Sequence, residues 1–538
     1  MYECPGCGAN LKFDIISQQM ACAYCGIKVD PYSLQKEQDA EQEETFEVTK
    51  FSCPQCGGEM ISGDQDATAF CSFCGAANIL TARLTREKRP GYIIPFKKTK
   101  EDCKAAYARK LKRAFFAPRE LRDPAYIDSF RGIYMPYWTY RLEQQGYACF
   151  KGTTSYRKGD YVYTEHYDLT GNLDGEYYGF SYDASSTFYD NISEALAPYH
   201  VEDQVDFTPA YLSGFYADTA DVGQELYLEQ AEKLANESSW EEICKEPVFK
   251  KYGIQNNGNK ENLTNTLHTR CSATHSTMYP VWFLSWRKED RVAYATVNGQ
   301  TGKVVADLPI DIKQFLKGAL VLAVPLFILL NLLGTMKPYT LLGVCCLLGL
   351  AAAGIYLLEL RTIRRRESHV EDPALAAKRG YGQEELAAMP PKEKKSYQKK
   401  RNGRKRAGRV VLWVEILYML FMAFLFQYFV MAENRAASAF LPLIATIASV
   451  VLSCLSYRAE KKLDGYRHCF GPLTTTAALI VSLVICYLNP VSDLWYYLGA
   501  VLILLAVLYN ILDILRNYNR MAMRRLPQFD KQGGDDCA

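Results

Sequence analysis

Cys4-Pro5-Gly6-Cys7 with Cys22-Ala23-Tyr24-Cys25, and then Cys53-Pro54-Gln55-Cys56 with Cys71-Ser72-Phe73-Cys74, are the stretches whose reading decides the fold of the N-terminal region. In both quartets fourteen residues separate the two Cys-x-x-Cys pairs, and a glycine (Gly8, Gly26, Gly57, Gly75) follows each pair. A Cys-x-x-Cys turn aims two sulfurs at one point, and the glycine supplies the positive φ that such a knuckle needs. Two knuckles on a short hairpin make a closed S₄ site, which suits structural zinc. The expected ligands are Cys4, Cys7, Cys22 and Cys25 for one Zn²⁺ ion and Cys53, Cys56, Cys71 and Cys74 for a second. Iron in a rubredoxin-like site uses similar knuckles. Disulfides are the other use of paired cysteines, but the chain starts Met1-Tyr2-Glu3-Cys4 without a charged and apolar leader, so a reducing cytosol is expected. Tandem closed S₄ sites in a non-redox setting favour zinc. Each unit of about thirty residues is too small to hold a core, so the metal is expected to fold it.

The 538 residues carry a formal net charge of only +2, and that balance hides a division. Residues 1–312 hold 33 Lys/Arg against 44 Asp/Glu, and the rest hold 29 against 16. Hydropathy divides in the same way. Six apolar stretches, 316–333, 339–358, 410–431, 438–457, 473–488 and 494–515, approach the ~20 residues needed to cross a bilayer. The loop 361–409 holds sixteen Lys/Arg against six Asp/Glu, whereas the short turns hold only Lys337 and Arg435. By the positive-inside rule the long loops and both termini are expected in the cytosol, with Trp495, Tyr496 and Tyr497 at the outer interface.

The expected organisation is multidomain: two small β zinc ribbons, an α+β soluble domain and an all-α membrane domain. Ribbon 1 is placed at 1–34, an acidic linker at 35–49 and ribbon 2 at 50–82. A basic helix and a β-rich α+β cytosolic domain fill 83–312. About six membrane helices follow at 313–515, with the basic loop 361–409 between the second and third, and a cytosolic tail covers 516–538. Thr99-Lys100-Glu101-Asp102 resembles a helix start that Pro118 ends. Tyr-rich runs at 147–150, 161–167 and 176–182 read as separate strands. Segments 192–196 and 223–235 read as helical. Asn298-Gly299, between runs at 291–297 and 303–306, signals a type I′ hairpin. Tyr134-Met135-Pro136-Tyr137-Trp138 is echoed at Tyr279-Pro280-Val281-Trp282.

Catalytic motifs are scarce. Six histidines lie in no metalloprotease frame, and no Gly-x-Ser-x-Gly elbow occurs. Gly299-Gln300-Thr301-Gly302-Lys303 lacks the spacing of a phosphate loop and reads as a turn. His268, Cys271 and His275 lack a fourth ligand for a third metal site, so ordinary surface and core roles are favoured. The ribbons are neutral to acidic, which argues against direct nucleic-acid binding and for protein contact. The basic runs 83–113 and 361–409 suit anionic lipid headgroups. Residues 160–246 hold twenty acids against two lysines, a field for solubility or for docking the chain's own basic segments.

Cys-Pro-x-Cys-Gly with Cys-x-Tyr/Phe-Cys-Gly resembles the zinc ribbons of transcription-factor and RNA-polymerase-subunit type. Joined to Tyr-Met-Pro-Tyr-Trp at 134–138, Pro-Val-Trp at 280–282 and Val-Asn-Gly-Gln-Thr-Gly-Lys-Val at 297–304, the chain resembles bacterial zinc-ribbon-containing multi-pass membrane proteins of uncharacterised function. The resemblance implies metal binding and a membrane location, and no established reaction. The expected function is a non-enzymatic, membrane-tethered adaptor or scaffold for a cytosolic protein. The alternatives are a transporter or channel with a cytosolic regulatory region, and membrane-localised nucleic-acid binding through 83–113.

Overall fold

A computed structural model describes residues 2–34, 45–62, 71–76, 81–255, 257–289, 291–333, 337–367, 440–461 and 470–525. Three short strands, β1 (Leu11–Asp14), β2 (Gln19–Cys22) and β3 (Lys28–Val29), form a small antiparallel sheet beside the first cysteine quartet. Strands β4 (Thr45–Ser52), β5 (Glu59–Ser62) and β6 (Thr81–Lys88) carry the second quartet, and β7 (Tyr92–Ile93) follows. Helix α1 (Lys100–Lys112) begins at the expected cap. The Thr99 side chain accepts from the Asp102 N–H, and the Asp102 carboxylate accepts from the Thr99 N–H. It ends at Lys112, short of Pro118, which instead precedes a turn of 3₁₀ helix.

After the short helix α2 (Pro124–Ile127), the separate Tyr-rich strands of the sequence reading are replaced by one long hairpin, β8 (Arg131–Lys158) and β9 (Tyr161–Asp183). Pairing continues through Gly152, Gly171 and Gly175, so what looked like turn punctuation lies within continuous strands, with one bulge at Gly179. Towards the hairpin tip the side chains are exposed. There the two strands are supported by cross-strand pairs such as Tyr156 stacked on Tyr163, with ring centroids 5.5 Å apart. Then come α3 (Asp190–Leu196), β10 (Val205–Asp206), β11 (Tyr216–Ala217), α4 (Leu228–Lys245), α5 (Pro247–Lys251) and α6 (Asn257–Thr266). The helical reading of 192–196 and 223–235 holds, the latter opening with a 3₁₀ turn.

Strand β12 (His268–Lys288) runs antiparallel to β8 from His268 opposite Gln145 to Phe283 opposite Arg131. This sets the two aromatic–proline echoes face to face, with Tyr279 opposite Met135 and Pro280 opposite Tyr134. Strands β13 (Arg291–Asn298) and β14 (Val304–Ala306), together with β15 (Arg524–Arg525) from the far end of the chain, complete a 12-stranded mixed sheet with the order β10-β7-β12-β8-β11-β5-β4-β6 along its main path. The expected two-residue type I′ turn is absent. Gly299 does not adopt positive φ, and the reversal runs to Gly302 at φ +78°. Asn298 closes that longer loop, its side-chain oxygen accepting from the Gln300 and Thr301 N–H groups at 2.9 Å.

Phe96 lies at the centre of the core beneath this sheet. It is fully buried, stacks on Phe215 at 4.5 Å and touches Tyr134 and Trp282 at 4.9 and 5.2 Å. Both echo segments therefore close on one aromatic cluster.

Helices α7 (Ile312–Leu333), α8 (Pro338–Glu367), α9 (Phe440–Glu460), α10 (Gly471–Leu488) and α11 (Leu494–Ala522) are five helices long and apolar enough to cross a membrane. They match five of the six apolar stretches; the stretch 410–431 and most of the loop 361–409 lie outside the described residues. Helix α8 packs against α9, α10 and α11. Serine and threonine form the inner seam, with Ser449 on Thr476 at 2.7 Å and Ser453 donating to the Pro472 carbonyl at 3.0 Å. Asp513 accepts from the Gly471 N–H at 3.0 Å and from Arg516 at 2.7 Å, so it caps α10 and pairs with a neighbouring cation.

The first and last of these helices are latched to each other and to the sheet. Asn519 exchanges two hydrogen bonds with the backbone of Ile310, at 2.6 and 2.7 Å. The strand β15 (Arg524–Arg525) pairs with β13 immediately after α11. Arg524 sits 3.9 Å over the Tyr189 ring and 3.5 Å from Asp307, and Arg291 donates to the Arg520 and Met523 carbonyls.

Truncating the aromatic centre removes contacts on three sides at once. Phe96→Ala should destabilise the chain by about 3–5 kcal/mol, read as a clear fall in the thermal midpoint of the detergent-solubilised protein; an unchanged midpoint would contradict the placement of Phe96.

Candidate metal centres

Each knuckle is built by the same backbone device. The N–H of the residue after the second cysteine bonds back to the first cysteine's carbonyl. Gly8 donates to Cys4 at 2.9 Å, Gly26 to Cys22 at 3.0 Å, Gly57 to Cys53 at 2.8 Å and Gly75 to Cys71 at 3.0 Å. All four glycines adopt positive φ, between +68° and +75°. A side chain at these positions would strain the turn, which is why glycine closes every knuckle.

The knuckles meet in pairs. In the first group the Cys4 and Cys25 sulfurs lie 3.4 Å apart, as do those of Cys7 and Cys22. In the second, Cys53 and Cys74 are 3.7 Å apart, and Cys56 and Cys71 3.8 Å. Within each group all four sulfurs fall within 4.8 Å of one another. A tetrahedron with metal–sulfur bonds of ~2.3 Å has edges of about 3.8 Å, so both groups can hold one metal ion each. All eight residues named from the sequence are thus brought together in the expected fours. His268, Cys271 and His275 instead lie along β12, with the His275 ring against Tyr92.

The electrostatics favour a thiolate in each group. The Cys22 thiol is pulled down to about 6 by backbone N–H groups of Cys25 and Tyr24. Cys53 is drawn far below the usual thiol range by hydrogen bonds from Cys56, Cys71 and Cys74. Cys103, buried alone on α1, is pushed up by desolvation instead.

The two centres differ in their seats. All four cysteines of the second group are buried, and its hairpin belongs to the main sheet through β5 pairing with β11. The second knuckle rests on β12 and β13. Tyr294 donates to the Phe73 carbonyl at 2.5 Å, and Arg287 reaches Gln55 at 2.8 Å from across the interface. The first group keeps Cys7 and Cys25 exposed. Its β-sheet anchors inward, with Phe13 against Tyr211 at 5.0 Å and Ser213 bonded to the Leu11 carbonyl at 2.8 Å. Its outer surface shows Ile16 at 82% and Tyr24 at 86% exposure. Identical spacing hides this difference. The residues that make it, Tyr294 and Arg287, are more than 200 positions away in sequence.

A comparison with curated proteins finds the uncharacterised protein YdjG of Bacillus subtilis (strain 168), 31% identical over 315 residues, which is 58% of this chain and 90% of the relative. No family model matches the chain, and no solved structure matches it.

Two consequences follow for measurement. The purified chain should carry two tightly held metal ions, released on acidification as protons compete for the thiolates. Cys53→Ser should lower the thermal midpoint of the whole soluble region, whereas Cys4→Ser should lose one metal with a smaller shift. Equal shifts, or a single metal in the wild type, would contradict the assignment.

Proposed function

We propose that this chain, which belongs to the same family as YdjG, is a membrane-tethered adaptor in which the first metal module and the sheet present a binding surface to a cytosolic protein. The observation that carries this reading is the asymmetry of the two centres. The second is enclosed and staples the sheet, while the first offers exposed Tyr24 and Ile16 on a module anchored from behind. Exposed large apolar groups on a metal-rigidified scaffold suit recognition, because little order remains to be lost on binding. The ions are zinc, in keeping with closed four-sulfur sites that leave no open coordination position. Iron in their place would give a visible charge-transfer band. The role is non-catalytic. Buried polar groups such as Ser185 and Asp218, bonded at 2.5 Å, serve to tie loops together.

The reading includes six spans with both ends in the cytosol. Helix α8 runs parallel to α11, with Leu342 beside Gly499 and Gly349 beside Ile503, and α10 runs antiparallel to both α9 and α11. Helices α8 and α9 therefore run in the same direction, so the six-span reading needs one further crossing between them and assigns it to the apolar stretch 410–431, outside the described residues. Arg361, Arg458, Lys461, Arg516 and Arg520 all lie towards the helix ends nearest the soluble domain, which supports placing that side in the cytosol. Of the basic run 83–113, Lys97 pairs with Asp203 at 2.6 Å and Lys104 with Asp128 at 2.5 Å. The exposed cations at the end of α1, Arg109, Lys110, Lys112 and Arg113, lead to Phe116, which packs on Phe315 at the base of α7. That position suits anionic headgroups better than nucleic acid.

A transporter is the second reading. Buried Asn510 donates to Thr475 at 3.2 Å, beside the Ser/Thr seam of the bundle. Solute flux that survives removal of residues 1–312 would favour it over the adaptor.

Crosslinked recovery from membranes tests the adaptor directly. Tyr24→Ser should abolish capture of the partner while both metals stay bound; unchanged capture by Tyr24→Ser and by Cys4→Ser would remove the recognition element. Cysteines introduced beside Lys337 and Asp493 should react with impermeant reagent from outside intact cells, and protection of both sites would invert the topology.

A further inference from the structure

The soluble domain contains a cavity of about 220 Å³ between β9, α3 and the start of α4, distinct from both metal centres. Its walls include five tyrosines, Tyr137, Tyr182, Tyr199, Tyr227 and Tyr279. Tyr137 stacks on Tyr279 at 4.5 Å, and Tyr182 stacks on Tyr227 at 5.0 Å with the planes only 4° apart. Three carboxylates join them: Asp183 and Asp190, both buried, and Glu194, which is exposed at the rim. No lysine, arginine or histidine lies among the described residues that line it.

The phenol groups are already committed to the protein. Tyr227 donates to Asp190 at 2.7 Å, Tyr137 meets Ser193 at 2.8 Å, and Tyr279 meets Ser181 at 2.7 Å. These bonds fix the rings, so little order is lost when a guest enters. What such a wall offers is π-electron density backed by negative charge. An anion meets three carboxylates there. A cation gains from the ring quadrupoles and from the carboxylates together, the combination found in aromatic cages for alkylated ammonium groups. The volume lies below the roughly 300–1,000 Å³ of sites for drug-sized ligands, which restricts the guest to a compact head. The surrounding segment 160–246, with twenty acids against two lysines, raises the local concentration of cations at the mouth.

We propose that this tyrosine–carboxylate cavity binds a small alkylated ammonium cation. The site is independent of the adaptor reading, since neither metal centre contributes to it.

Choline is a suitable probe, with 3,3-dimethylbutan-1-ol as its uncharged isostere and glucose as a neutral polyol. Titration calorimetry on the full chain in nanodiscs of anionic lipid free of choline headgroups should show saturable choline binding. The isostere should bind at least about tenfold more weakly, because it keeps the shape and loses the charge that the rings and carboxylates read. Tyr199→Leu should weaken choline by about tenfold. Glu194→Gln, at an exposed position that does not threaten folding, should weaken it several-fold, with an unchanged thermal midpoint as the control. The proposal is overturned if the folded wild type shows no saturable choline binding up to about 10 mM, beyond the millimolar end of the affinity scale. Equal or tighter binding of the isostere or of glucose overturns it, as does choline binding that neither variant alters.

Discussion

The antiparallel pairing of β8 with β12 is the constraint on which the rest of the molecule depends. It runs from His268 opposite Gln145 to Phe283 opposite Arg131. One edge of that pair takes β11, and through it the hairpin of the second metal centre. The register also brings Phe283, Tyr294 and Arg287 under that centre, so the sheet and the metal site fix each other. On the other side β13 holds β15, which follows the last long apolar helix after a single residue. A single ladder therefore connects the buried cysteines to the point where the chain leaves the bundle.

The local features of this design were legible in the sequence because they are short-range. The knuckle glycines had to adopt positive φ, Thr99 with Asp102 had to cap a helix, and five of the six apolar stretches lie in long helices. All three are decided within a few residues. The hairpin β8–β9 was not legible as one element. Glycines at 152, 171 and 175 read as punctuation, yet the strands continue through them because each has a partner across the hairpin, and only Gly179 is left unpaired, in a bulge at φ +99°. Asn298-Gly299 misled in the same way: Asn298 is used to bond the loop beyond it, and the turn moves on to Gly302.

The cysteine sites divide along the same line. Which eight residues gather, and in which fours, is written in their spacing. Which centre is enclosed and which is displayed depends on residues more than 200 positions away, and equal spacing gives no sign of it. The cavity tyrosines are a stronger case: Tyr137, Tyr182, Tyr199, Tyr227 and Tyr279 share no local pattern, and only the fold collects them.

The sheet is tied to both the first and the last of the long apolar helices. The contacts of Ile310, Asn519 and Arg524 join the mixed-sheet domain to the ends of α7 and α11 through side chains as well as through the chain itself.

The central claim is that the second metal centre is a structural part of the sheet while the first is a displayed module. Hydrogen exchange on the full chain, before and after both metals are removed by a strong chelator, measures this directly. The account predicts that removal exposes amides in β4, β5 and β11 and along the β12 segment beneath the second centre, with the change around the first centre confined to β1–β3. Protection in β4, β5, β11 and β12 that survives complete metal removal would contradict it.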